Sequence, residues 1–264
     1  MKTVLVQNNP IFGEKEKNTE ALFSMMKEKE GDIYILPELA FTGYQFRDKD
    51  ELISLSDETN SPFTNVFAEK SKELNAAIVF GFAENDGSDR VYNSSMMVTP
   101  EGDRYIYRKT HLFYKEKELF MPGNTGFNVF DFRGAKIGLA VCFDWIFPES
   151  FRTLALKGAH IIAHSSNLVM PYCQKADYAR AVENRVFVCT ANRIGIENRT
   201  GEQLTFTGGS VCVSPQGDYL AEMPLEEESV EMVDIDIEKA CEKDINPFNN
   251  VFSDRRPGIY ESSF

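Results

Sequence analysis

Short apolar runs recur along this chain, and the character of what separates them changes with position. KTVLVQ (2–7), IYILP (33–37) and AAIVFGFA (76–83) each suit one buried strand and are too short for a buried helix. Between the first two, residues 16–29 carry helix formers with apolar positions at Ala21, Leu22, Met25 and Met26. Between the second and third, residues 62–75 predict a helix behind Ser61, with Pro62 at the favoured first position. Phe63, Val66, Phe67, Ser71 and Leu74 keep its 3.6-residue period. The middle of the chain turns to hairpins. VYNSSMMVTP, DRYIYRK, GFNVFDF and AKIGLAV read as strands, separated by short turns such as Glu101-Gly102-Asp103 and Arg133-Gly134. Helix signals return at 148–157 and near 173–185, flanking strands HIIAHSS and VFVCTAN, and hairpin-like strands run on through 237 around Gln216-Gly217-Asp218. Such a mixture predicts large mixed sheets covered by helices, not a purely parallel sheet.

No linker, low-complexity tract or internal repeat interrupts this order, and the acidic run Glu226 to Glu228 reads as a solvated loop. A single domain over 1–264 is therefore expected, long enough to bury a core without disulfides or metals. A content of 21 Phe fits a sheet-containing core. Lys and Arg number 28 against 41 Asp and Glu, a net charge of −13, which argues against nucleic acid or an anionic membrane surface as partner. No apolar run approaches the ~18 residues of a membrane span, and the N-terminus lacks the features of a secretion signal. Cytoplasm is the expected location. The five cysteines, Cys142, Cys173, Cys189, Cys212 and Cys241, are odd in number and without C-x-x-C spacing, so neither a disulfide framework nor a zinc site is expected. The sequons at Asn93 and Asn198 would matter only in a secreted protein.

Phosphate-binding glycine loops, H-E-x-x-H and G-x-S-x-G are all absent. His160 and His164 stand four apart on one predicted strand and read as structural in preference to a ligand pair. With His111 the only other histidine, serine–histidine chemistry has little support. Cys142 is more informative. It ends the apolar strand 136–141, and Pro148-Glu149 begins a helix soon after. Ligands tend to meet strands at their carboxyl ends. On these residues alone Cys142 is either a buried structural cysteine or a nucleophile. Glu38 follows IYILP in the same manner, and Lys109 ends RYIYRK. A carboxylate at a buried strand end is expensive unless it is paired or used. Spacing cannot show that the three meet.

Four ordered segments carry a resemblance: LPELAFTGY around Glu38, YRKTHLF around Lys109, EKELFMPG from Glu116, and VCFDWIFPES around Cys142. The chain resembles the nitrilase superfamily of carbon–nitrogen hydrolases, over nearly its whole length. Separations of 71 residues from Glu38 to Lys109 and 33 from Lys109 to Cys142 look like those of the family. ARAVENR (179–185) and FSDRRPGIY (252–260) look familiar as well. It is closest to short microbial nitrilases and aliphatic amidases, because Cys142 is followed by Phe143 and Asp144 instead of the C-W-E of long nitrilases.

The resemblance implies roles: Cys142 as nucleophile, Glu38 as general base, Lys109 as stabiliser of the tetrahedral intermediate, and Glu116 as a second glutamate positioning substrate and Lys109. Lys109 is expected to lower the thiol pKa, and the backbone N–H of Phe143 to complete an oxyanion hole. Tyr44, Tyr114 and Trp145, with Phe41, either line an apolar substrate wall or are core, and Asn167 is a candidate donor to a substrate carbonyl. The implied fold is an α+β four-layer αββα sandwich that forms a homodimer or higher homo-oligomer. Residues 245–264 would be a C-terminal tail at the interface, with Arg255 and Arg256 as possible anchors to carboxylates. The expected activity is hydrolysis of a small carboxamide, with small nitriles and N-carbamoyl amides as alternatives and a non-catalytic binding relative as a different class. No metal or organic cofactor is implied, since thiol, carboxylate and ammonium supply nucleophile, base and electrophile.

Overall fold

The computed structural model describes residues 1–260. Residues 261–264 of the expected tail lie outside the described residues. The first half forms β1 (Lys2–Gln7), α1 (Lys15–Met25), β2 (Ile33–Ile35), α2 (Lys49–Leu55), α3 (Pro62–Leu74), β3 (Ala77–Asn85), β4 (Val91–Val98), β5 (Arg104–Arg108) and the short α4 (Glu116–Leu119). Then come β6 (Val129–Phe132), β7 (Ala135–Val141), a 3₁₀ turn (Cys142–Ile146), α5 (Pro148–Leu156), β8 (Ile161–Ser165), α6 (Cys173–Asn184) and β9 (Phe187–Ala191). The hairpin β10 (Ile196–Glu197) and β11 (Leu204–Thr205) leads to β12 (Val211–Val213), β13 (Tyr219–Glu222) and β14 (Ser229–Asp234).

Two six-stranded sheets result, ordered β14-β1-β2-β3-β4-β5 and β13-β12-β9-β8-β7-β6. β1, β2 and β3 run parallel, as do β7, β8 and β9, and every other pair in these sheets is antiparallel. Counted from β14 in one sheet and β6 in the other, the pairings follow the same order. The chain thus repeats a topology without repeating a sequence.

Alternation along the strands builds the layers. Leu5, Ile33, Ile35, Val79 and Met97 join the cluster shared with the second sheet. Their neighbours Val4, Val6, Tyr34, Ile78, Phe80 and Val98 point the other way, onto Leu22 and Met26 near α1 and Phe67 of α3. Phe151 and Leu154 of α5 and Ala181 of α6 cover the second sheet. The result is the αββα sandwich. Strands covered on both faces have no polar side, which is why they read as unbroken apolar runs.

Helix starts follow local chemistry. Ser61 Oγ accepts the Thr64 N–H at 3.0 Å ahead of Pro62, as its sequence predicts. α2, which no apolar pattern announced, is capped by Asp48 accepting the Glu51 N–H at 2.8 Å. β2 ends earlier than IYILP because Pro37 has no N–H to extend the ladder. Phe41 belongs to the core, buried against Phe63, Phe67 and Phe80. No helix among the described residues is long and apolar enough to cross a membrane.

Gly81 of β3 admits the chain that carries Glu38. Its N–H donates to the Pro37 carbonyl at 3.0 Å, and its carbonyl accepts the Ala40 N–H at 3.1 Å. A Cβ there would fall 2.4 Å from the Glu38 Cα and 2.7 Å from the Leu39 nitrogen, both backbone atoms that cannot swing aside. Gly81→Ala is therefore expected to lower stability by ~1–3 kcal/mol through overpacking. Urea unfolding reads this directly, and an unchanged midpoint would mean that the approach is not needed.

Candidate active site

Glu38 lies just beyond β2, Lys109 directly after β5, Glu116 opens α4, and Cys142 follows β7. The first three come together. The Lys109 Nζ donates to Glu38 Oε1 and to Glu116 Oε1, each at 2.7 Å. Glu38 is fully buried, Lys109 1% exposed and Glu116 4% exposed. The second lone pairs are met as well. Asn93 Nδ2 donates to Glu38 Oε1 at 2.6 Å, the Tyr44 hydroxyl to Glu116 Oε1 at 2.6 Å, and the Phe113 N–H to Glu116 Oε2 at 3.1 Å. Of the four carboxylate oxygens, only Glu38 Oε2 has no partner among the described residues, and Asn93 Oδ1 is unpartnered as well.

Cys142 retains 6% of its surface and lies close enough for Glu38, Lys109 and Glu116 to act on its charge. Its Sγ is 3.8 Å from the Asn167 carbonyl. Its φ of 40° is left-handed, a conformation disfavoured for any side chain with a Cβ. Asp144 ties this turn to the Lys109 segment. One carboxylate oxygen accepts from the Val141 N–H at 3.0 Å and the Tyr107 hydroxyl at 2.7 Å, and the other lies 2.8 Å from His111 Nδ1. From α6, Arg180 Nε donates to the Trp145 carbonyl at 3.1 Å and pairs with Glu183 at 3.0 Å, which accounts for ARAVENR. Gly123 of the MPG segment donates its N–H to the Lys109 carbonyl at 2.9 Å. A Cβ on Gly123 would meet the Arg108 carbonyl oxygen at 2.0 Å.

Electrostatics departs from the expectation in one respect. Burial pushes the Cys142 thiol well above its ordinary pKa and Glu38 pushes it further, while Lys109 pulls it only partly back. The lysine does favour thiolate, but it is already shared between two carboxylates. Burial by itself lowers the Lys109 pKa, yet Glu116 and Glu38 outweigh it, and the ammonium is held above its usual range. Burial raises Glu116 against the pull of Lys109.

The remaining candidates divide. Asn167 is 2% exposed beside the thiol, and both polar atoms of its side chain lack partners. Tyr44 is committed to Glu116. Phe143 packs at 5.0 Å on Phe113 and 5.6 Å on Phe147. Trp145 sits in the main hydrophobic cluster. Tyr114 is 55% exposed, with its hydroxyl 3.3 Å from Glu202. A small cavity of about 30 Å³ runs beside Tyr44, Phe113, Tyr114 and Glu116. A larger cavity, about 850 Å³, lies elsewhere, between α5 and the C-terminal segment. Neither Arg255 nor Arg256 pairs with a carboxylate among the described residues. His160 and His164 part company: His160 Nδ1 accepts the Lys136 N–H, whereas His164 meets the Cys142 carbonyl. Asn93 was visible in the sequence only as a sequon, yet it is fully buried on Glu38.

Residues 3–242 match the family profile described as Carbon-nitrogen hydrolase. A protein of Pyrococcus abyssi (strain GE5 / Orsay) named nitrilase is 43% identical over 264 residues, with 98% of this chain and 99% of that one covered. An (R)-stereoselective amidase of Pseudomonas sp is 33% identical over 250 residues, covering 92% and 89%. The fold is similar to that of a double mutant of the amidase from Nesterenkonia sp. AN1 solved in complex with acrylamide, with a TM-score of 0.83, 24% identity and coverage of 98% and 95%.

A thiol held neutral by burial alkylates slowly until the solution is strongly alkaline, since the thiolate is the reactive form. The rate of Cys142 alkylation by iodoacetamide is expected to keep rising beyond pH ~9, above the ordinary thiol range. A plateau below pH 8 would mean a preformed thiolate.

Proposed function

The chain belongs to the carbon–nitrogen hydrolase family, and we propose that within it this protein hydrolyses a small carboxamide to acid and ammonia through a thioester on Cys142. The observation that carries this reading is the buried cluster of Glu38, Lys109 and Glu116 beside the Cys142 thiol. With the thiol neutral at rest, a base must take its proton during attack. Glu38 Oε2 is the unpartnered acceptor suited to that task. Sγ adds to the carbonyl carbon, and the oxyanion is met by the third N–H of Lys109 and the backbone N–H of Phe143. At the start of a helical turn the first N–H groups have no partner within the helix. As the intermediate collapses, the proton on Glu38 leaves with ammonia. Water then attacks the thioester, Glu38 takes its proton, and the acid departs as the thiol is restored. Glu116, held by Tyr44 and Phe113, fixes the ammonium in place.

The unpartnered atoms favour an amide. Glu38 Oε2, Asn93 Oδ1 and Asn167 Oδ1 are acceptors and Asn167 Nδ2 is a donor. A primary carboxamide brings N–H donors and a carbonyl acceptor to match. A nitrile brings only an acceptor and leaves these buried oxygens unpaired. Arg193, a buried cation close enough to feel Glu38, is committed to Glu197 and is not offered to a substrate carboxylate. A small uncharged substrate follows. The second reading is a nitrile, favoured by the similarity to the Pyrococcus abyssi protein named nitrilase. It would pass through a thioimidate that adds water before losing ammonia.

An ammonia-release screen over amides, nitriles and N-carbamoyl compounds decides among these. An amide is expected to turn over, and Cys142→Ala to reduce turnover by more than ~10³-fold. Turnover of that variant within tenfold of the parent would remove Cys142 from the mechanism. Nitriles alone turning over would select the second reading.

We also propose a homodimer formed through the C-terminal segment, which carries exposed Ile245, Phe248, Ile259 and Tyr260. Sedimentation is expected to give about twice the chain mass of 30.0 kDa. Loss of residues 245–264 should shift it to the single-chain value, and a full-length chain sedimenting as a monomer would contradict the proposal.

A further inference from the structure

Behind the Cys142 turn runs a buried polar chain that the proposed chemistry does not use. His164 on β8, Cys173 and Asp177 on α6 and Thr190 on β9 are all fully buried. His164 Nε2 lies 2.9 Å from the Cys142 backbone carbonyl. A carbonyl only accepts, so Nε2 carries the proton. His164 Nδ1 lies 2.9 Å from Thr190 Oγ1, and Thr190 Oγ1 lies 2.7 Å from Asp177 Oδ2. Ser166 Oγ sits 3.2 Å from Nε2, and Cys173 Sγ 3.8 Å from both Asp177 oxygens.

His164, Cys173 and Asp177 bring their ligand atoms within 4.8 Å of one another, as a metal centre would. Both nitrogens of His164 are already engaged, one by a carbonyl that cannot give way, so the group fits a hydrogen-bond relay. Its protons can be counted. If the Thr190 hydroxyl donates to Asp177, Nδ1 must carry a proton, which makes an imidazolium facing a carboxylate. If Thr190 donates to Nδ1 instead, Asp177 must carry the proton. In either arrangement His164 and Asp177 together have no net charge, the least costly state for a buried pair. Burial raises the Asp177 carboxyl pKa, and His164 pulls it partly back.

Cys142 has a use for such support. Its left-handed φ of 40° swings the carbonyl away from the path of β7, and that carbonyl needs a partner within the protein. His164 supplies it from the neighbouring parallel strand. We infer that His164 is a positioning residue: its Nε2–H pins the Cys142 carbonyl, holds the turn left-handed and so aims Sγ, while Thr190 and Asp177 fix the ring. The inference rests on the reading of Cys142 as nucleophile.

Saturation kinetics of Cys142 alkylation by iodoacetamide, followed by peptide mass mapping to exclude the other cysteines, tests it without a known substrate. His164→Leu is expected to lower the limiting inactivation rate by ~10²-fold, the scale of a misplaced reacting group, with the half-saturating concentration unchanged within threefold. His164→Gln restores an N–H donor near the carbonyl and should recover most of the rate, which general loosening of the core would not do. If His164→Leu fails to fold, Thr190→Val leaves the ring and removes its orienting hydroxyl, and the same split should appear at smaller amplitude. Unaltered inactivation in these variants, with Cys142→Ala inactive in ammonia release, would overturn the positioning role and leave the nucleophile. Ammonia release by Cys142→Ala would instead remove the reading beneath it. Stoichiometric zinc in the purified protein, lost in His164→Leu, would overturn the relay.

Discussion

The Lys109 ammonium sits in the interior, 1% exposed, with a carboxylate oxygen at 2.7 Å on either side. Taking such a charge out of water costs several kcal/mol, and neither glutamate would be tolerable there without it. The three groups therefore stand or fall together, and they bind three separate segments: the end of β2, the end of β5 and the start of α4. Because two carboxylates claim the one ammonium, little positive field is left for the nearby sulfur. Burial above all, and then Glu38, keeps the thiol pKa raised, and Glu38 has one free oxygen, the starting condition for base-assisted attack.

The sandwich brings these segments together. β2 and β5 belong to one sheet and β7 and β8 to the other, and apolar residues between the sheets set their alignment. Single side chains then make the joints. Asp144 couples the 3₁₀ turn to Tyr107 and His111, Asn93 on β4 braces Glu38, and Arg180 of α6 holds the Trp145 carbonyl. Gly81 and Gly123 serve by lacking a side chain where backbones nearly touch.

Much of this was legible in the primary structure, for physical reasons. Strands buried on both faces leave continuous apolar runs, and Pro62 and Pro148 mark helix starts because a missing N–H costs nothing there. Glu38, Lys109 and Cys142 drew notice as reactive groups at strand ends. Asn93, Asp144 and His164 did not, since each works through a partner distant in the chain. Asn93 registered only as a sequon, and His164 was paired by spacing with His160, which faces Lys136 instead. The sign of the thiol shift was missed because it depends on how many carboxylates share one ammonium and how deeply all are buried. Spacing carries neither quantity.

The buried lysine is the point at which the account is most exposed. Denaturant unfolding of Lys109→Met, measured at pH 8 and again near pH 5, isolates it without any substrate. Deprived of the ammonium that pulls against burial, Glu116 would have a folded-state pKa raised still further above its unfolded one. The folded form then holds more protons, so stability is lost as pH rises through the raised value and recovered as pH falls below it. A loss of about 3–5 kcal/mol is expected at pH 8, shrinking markedly at the lower pH. A variant as stable as the parent at both would show that the ammonium is not what holds the two carboxylates inside.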